Sequence, residues 1–169
     1  MTVAPYRTWV VIAAPPETVY PYFTRPEAIL TWMGDYAVLD AAPGGVFSLD
    51  INGVPVRGRY LQLDPPHRLL ISWGHAGSAV LPPGSSTVEI TLTPIPEGTR
   101  VTIEHRDLPP EQATQHAIGW PHFLTRLATA ATGHDPGPDP FAHTTPATTD
   151  PDPPPAPGHP STTECRSMA

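Results

Sequence analysis

The stretch that most restricts the fold is residues 108–133, LPPEQATQHAIGWPHFLTRLATAATG. Apolar or aromatic residues recur there at Ala113, His116/Ala117, Trp120, Phe123/Leu124, Leu127 and Ala130/Ala131. A spacing of three to four paints one stripe along an α-helix, and a helix of this kind is stable only when that stripe is buried. Asp107 or Leu108 reads as the cap, Pro109 and Pro110 occupy positions whose amides would lack partners anyway, and Glu111 sits near the positive end of the dipole. Gly133 supplies the stop. Pro121 removes one amide donor in the middle, so with Gly119 nearby a kink is expected over residues 117–121.

Upstream, the pattern changes to period two. Residues 6–14 read as a strand ended by Pro15 and Pro16, followed by two short helical stretches, 16–24 and 27–32, the first shortened by Pro21. Residues 36–41, 46–51, 54–64, 67–74, 86–93 and 99–106 then alternate as strands. Between them lie turn sequences, of which Asn52-Gly53 is the clearest because a type I′ turn needs positive φ at both central positions. Connections this short require antiparallel neighbours. Alternation places Val54, Val56, Gly58, Tyr60 and Gln62 on one face and Arg57, Arg59, Leu61 and Leu63 on the other. The following strands align Leu69, Ile71, Trp73 and His75, then Val88, Ile90 and Leu92, then Val101, Ile103 and His105, with polar residues opposite. The class is α+β: a β-α-α-β6-α order, with an antiparallel sheet of about seven strands wrapped on a long C-terminal helix.

Composition divides the chain at residue 133. Ten of the 26 prolines fall in 134–169, with no periodic apolar pattern, so residues 1–133 are expected to form the domain and 134–169 a disordered, proline-rich acidic tail. Cutting after His134 would then change stability by less than about 1 kcal/mol. The domain carries a net charge of −3 and the tail −4, which is not a nucleic-acid footprint. Lysine is absent, excluding lysine Schiff-base chemistry. Cys165 is the sole cysteine, so neither an intramolecular disulfide nor a thiolate nucleophile within the domain is expected. No leader-like or bilayer-length apolar run is visible, and a soluble cytoplasmic protein is expected.

Several strings resemble the helix-grip fold of the START/Bet v 1-like (SRPBCC) superfamily, in its branch named after the C-terminal domain of the activator of Hsp90 ATPase. These are Ala14-Pro15-Pro16-Glu17-Thr18-Val19-Tyr20, Ile29-Leu30-Thr31-Trp32-Met33, Gly44-Gly45-Val46-Phe47, Asp64-Pro65-Pro66-His67-Arg68-Leu69 leading to Ser72-Trp73, Ser86-Thr87-Val88-Glu89-Ile90, and His116-Ala117-Ile118-Gly119-Trp120 with Leu124 and Leu127. They cover roughly residues 3–133 in the family's order. The prolines at 21 and 121 and the proline-rich tail depart from it. The resemblance implies a fold; its members include lipid carriers, aromatic polyketide cyclases and co-chaperone domains, so function must come from the site.

A curved sheet gripped by one helix leaves space between them, and Trp32, Phe47, Tyr60, Trp73, His105, His116, Trp120 and Phe123 are the expected lining. Aromatic walls with a few polar tips suit a small hydrophobic or aromatic ligand. Bound without catalysis, that ligand is the first reading. In the second, a cyclase- or hydrolase-like enzyme uses His105 or His116 as acid/base. No third ligand stands at metal spacing and the sheet's acids face outward, so no metal is expected. No Gly-x-Ser-x-Gly elbow or phosphate loop occurs, and no cofactor is expected. The third reading is a chaperone-binding module; it rests on the family name alone, no charged docking segment is visible, and a chaperone partner is not expected. Residues 73–84, rich in small residues and proline, read as a flap able to gate the cavity.

Overall fold

The computed structural model describes residues 4–141; the tail beyond residue 141 lies outside the described residues. The chain runs β1 (Tyr6–Ile12), α1 (Pro16–Val19), a 3₁₀ turn (Tyr20–Phe23), α2 (Pro26–Ile29), β2 (Tyr36–Leu39), β3 (Val46–Ile51), β4 (Val54–Asp64), β5 (Arg68–Trp73), β6 (Ser86–Ile95), β7 (Gly98–Arg106) and α3 (Pro110–Ala131). One antiparallel sheet holds all seven strands in the order β1-β7-β6-β5-β4-β3-β2. This is the expected α+β helix-grip arrangement. Asn52 and Gly53, at φ +50° and +83°, make the hairpin turn between β3 and β4 as their sequence demands. Among the described residues no helix is long and apolar enough to cross a membrane.

Alternation sorts the sheet into a dry and a wet face. Leu69, Ile71 and Trp73, then Val88, Ile90 and Leu92, then Val101, Ile103 and His105 are buried against α3, which contributes Trp120, Phe123, Leu124, Leu127, Ala130 and Ala131. The other face carries ion pairs. Glu89 and Glu104 stand directly opposite each other on β6 and β7, and Arg106 bridges them at 2.9 and 3.0 Å. Arg68 adds a bond to Glu89 at 3.1 Å and Arg7 pairs with Glu104.

In β4 strict alternation fails. The register against β5 shifts between Tyr60 and Gln62, so Tyr60 pairs with Ile71 and Leu63 with Leu69. This bulge absorbs one residue and reverses the phase. Leu63 therefore packs against the core and Gln62 is exposed, the opposite of the expected faces.

Helix α3 runs from Pro110 to Ala131 with Pro121 inside it. Pro121 leaves the carbonyl of Ala117 without its helical donor, and the Tyr6 hydroxyl on β1 donates to that oxygen at 3.4 Å. The cap lies at Pro109, two residues beyond Asp107. Gly133, at φ +86°, closes the other end. The chain then turns back on the domain: Arg126 donates to the carbonyl of Gly137 at 2.9 Å, Asp139 accepts from Asn52 at 3.0 Å and meets His122 at 2.8 Å, and Phe141 stacks on His122 at 3.9 Å. Packed structure thus extends past the expected domain end at residue 133. The short helices are tied in as well, by Tyr22 donating to Ala130 O at 3.0 Å and Arg126 donating to Trp32 O at 3.1 Å.

Candidate functional site

A cavity of about 170 Å³ lies between the first half of α3 and the sheet. The helix lines it with Gln115, His116, Gly119, Trp120 and Phe123, spaced by three and four so that they share one face. Ile51, Val54 and Val56 from the β3–β4 hairpin form the opposite wall, Met33 follows α2, and Trp73 and His75 come from the end of β5 and beyond. No Asp, Glu or Arg lines it. For comparison, an apolar protein cavity of about 150 Å³ holds one benzene, so this space fits one or two small rings rather than a lipid chain.

Behind the wall, Trp120 donates its indole N–H to Nδ1 of His105 at 3.1 Å. Since Nδ1 accepts, the proton of the neutral ring belongs on Nε2, which donates to Ser86 Oγ at 2.8 Å. The hydroxyl of Ser86 passes the chain on to the carbonyl of Trp73 at 2.8 Å. Both nitrogens of His105 are committed. Burial, reinforced by neighbouring His116 and His75, depresses its pKa to about 3. A third ring completes a row: His116 meets His105 edge-on at 5.0 Å and lies nearly parallel to His75 at 5.9 Å. His116 donates from Nδ1 to the Gln112 carbonyl at 2.8 Å, which leaves Nε2 as an acceptor. Burial lowers the pKa of His116 and His75 too, with the charge repulsion of His116 adding to the effect on His75.

Of the eight residues expected around the space, Trp73, His116, Trp120 and Phe123 line it. His105 lies beneath, wholly buried. Trp32, Phe47 and Tyr60 are instead packed solidly beside it, around a void of only about 10 Å³ in the case of Trp32 and Phe47. Phe47 stands edge-on to Tyr60 at 5.6 Å and Phe23 edge-on to Trp32 at 5.5 Å. Their polar tips are satisfied: Tyr60 donates to Phe23 O at 2.8 Å and Trp32 to Tyr22 O at 3.0 Å. Burial raises the Tyr60 phenol above its ordinary range. Face alone did not separate these two groups, because both point inward; position along the helix axis decides. His75, Val54 and Val56 were assigned to inward faces, but nothing in period two marks them as lining. The loop after Trp73 is pinned rather than loose, with Leu81 buried, His75 N donating to Leu81 O at 2.7 Å and Ala76 N donating to Pro55 O at 2.9 Å. Among the described residues no group of three or more His, Cys, Asp or Glu is placed to hold a metal.

Comparison with solved structures places this geometry among known folds. An AHSA1-like protein from Rhizobium etli, solved by solution NMR, is 42% identical over 83% of this chain and 92% of its own, with a TM-score of 0.67. A Mesorhizobium loti protein superposes with a TM-score of 0.68 at 26% identity, covering 76% of this chain and 96% of its own. A protein from the dynemicin biosynthetic locus also reaches 0.68 at 26% identity, covering 79% of this chain but only 49% of the other. No curated protein matches the sequence. The model of the family described as activator of Hsp90 ATPase homolog 1-like protein matches residues 13–132, from the end of β1 to the end of α3, and the chain therefore belongs to that family.

Proposed function

We propose that this protein binds a small, uncharged, hydrophobic or aromatic molecule in the cavity between α3 and the sheet, without catalysis. The observation that carries the reading is the cavity itself, about 170 Å³ with Trp73, Trp120 and Phe123 in its wall and no ionic side chain. Small-molecule sites in proteins are typically concave and mostly apolar, with a few placed polar groups. Similarity to part of a protein from the dynemicin biosynthetic locus accords with a small-molecule guest. A cytoplasmic location belongs to this reading and rests on the lone cysteine. Native mass spectrometry of protein purified from its own host, and again after incubation with naphthalene, tests it. A retained small-molecule mass that disappears on denaturation is expected; the bare chain mass in both samples would count against it.

A second reading, acid/base catalysis, falls to His116 alone of the two expected histidines, because its Nε2 is uncommitted whereas His105 has none to spare. An activity with a bell-shaped pH profile that vanishes in His116→Ala would establish it. The family's name raises chaperone activation; we do not adopt it, since the sequence shows no charged docking segment and Arg7, Arg68 and Arg106 on the outer face are paired with Glu89 and Glu104.

A further inference from the structure

The two halves of α3 are held very differently. Its buried residues begin at Trp120 and continue through Phe123, Leu124, Leu127, Ala130 and Ala131, whereas residues 110–119 contribute none. Ile118, in that first half, is 60% exposed. Leu108 pins the chain just before the helix. Between Leu108 and Trp120, the tie from outside the helix is the long bond from the Tyr6 hydroxyl to Ala117 O, at 3.4 Å. The same stretch carries an unmet group: Gln112 Oε1 is buried without a hydrogen-bond partner among the described residues, a cost that lifting the stretch into water removes. Few buried apolar contacts and one weak tie mark a segment that opens at lower free energy than the sheet beneath it.

What this half-helix closes against is an imidazole. His116 on α3 and His75 after β5 lie nearly parallel at 5.9 Å, and both line the cavity. His75 is fixed to the sheet, because it bridges to Val56 and its neighbour Ala76 donates to Pro55 O at 2.9 Å. Separating the rings therefore moves α3. No counter-charge faces the pair. On α3 the Gln112 backbone carbonyl accepts from His116 and Gln115 is uncharged; the β3–β4 hairpin presents Val54 and Val56; β7 presents His105, whose nitrogens are taken by Ser86 and Trp120. Asp107 and Glu111, the acids at the start of the helix, are exposed, and Glu89 and Glu104 are paired with arginines on the outer face. Burial lowers the proton affinity of both rings, and His116 adds repulsion on His75. Once parted in water, both rings return toward the ordinary value near 6.5. Opening thus takes up protons, so the closed form is favoured fully above about pH 6.5 and the open form gains as pH falls below it.

We infer that the first half of α3, Pro110 to Gly119, is a lid on the cavity, latched where His116 meets His75 and released by acid. As a gate for a guest it rests on the ligand-binding reading above; its motion does not. Amide hydrogen exchange of the full chain at pH 7.5 and pH 5, each corrected for the intrinsic rate, tests it. Residues 114–119 should exchange faster than the amides of β6 and β7 at both pH values, and their protection should fall roughly tenfold or more at pH 5. In His75→Gln/His116→Gln most of that fall should vanish, and His75→Gln alone should be intermediate; protected β6 and β7 amides report that each variant is folded. Naphthalene should raise lid protection at both pH values. If it does not, while the acid response persists and is lost in the double variant, the ligand reading fails and the latch stands. Exchange of residues 114–119 at the same rate as β6 and β7, or an acid response undiminished in the double variant, would overturn the latch.

Discussion

His105 is held neutral by its contacts: a donor occupies Nδ1, Nε2 donates to Ser86, and no solvent reaches the ring. The sign of its effect on stability follows. Its folded pKa, about 3, lies below the unfolded value, so the unfolded chain binds more protons between about pH 6.5 and pH 3. Stability is therefore full above pH 6.5 and declines as pH falls through that window. The lowered pKa values of His75 and His116 act in the same direction. Glu89 and Glu104, held down chiefly by hydrogen bonds from Arg68 and Arg7 respectively, add losses only below the ordinary carboxylate range. Urea unfolding at pH 7 and pH 5 should show the decline, and His105→Leu should flatten it while costing about 1–3 kcal/mol at pH 7 by orphaning the Trp120 N–H. An unchanged slope in the variant would show that the imidazole is not the source. On the outer face, Arg106→Ala leaves Glu89 and Glu104 facing each other across the ladder, and a loss of about 0.5–1 kcal/mol that shrinks in high salt is expected from thermal melts.

At the scale of elements, strands and helix were legible because their periods are unmistakable, and the Asn52-Gly53 turn because its backbone demands those residues. The bulge in β4 was not, since a single inserted residue leaves the composition of the strand unchanged and alters only its phase. Proline content hid the segment after Gly133. Composition spoke for a tail, yet Asp139 ties the tip of the β3–β4 hairpin through Asn52 to α3 through His122, and Arg126 holds the intervening carbonyls. The expectation that cutting after His134 is neutral therefore gives way to a specific cost. A chain ending at residue 133 should be about 1–3 kcal/mol less stable than one ending at residue 141, measured by chemical denaturation. Asp139→Ala should reproduce about half of that loss; equal stability of the two truncations would mean that these contacts contribute nothing.

For the whole molecule, the fold follows from one amphipathic helix needing one dry sheet face, and that much was readable from spacing. The division of the interior into a solid half around Trp32, Phe47 and Tyr60 and an open half beneath Trp73, Trp120 and Phe123 was not, because it depends on how closely the helix approaches the sheet along its length. Gly119 marks the open half: it lines the cavity, and a Cβ there would meet nothing within 4 Å. A side chain at that position has space to fill, and replacing a mid-helix glycine raises helix stability by up to about 1 kcal/mol. The most direct measurement is thus calorimetric titration of naphthalene into the protein and into Gly119→Phe, with thermal melts of both. The account predicts saturable one-to-one binding to the unaltered chain, its loss in the variant, and a melting temperature in the variant that is unchanged or higher. Equal binding by both proteins, or none by the unaltered one, would contradict it.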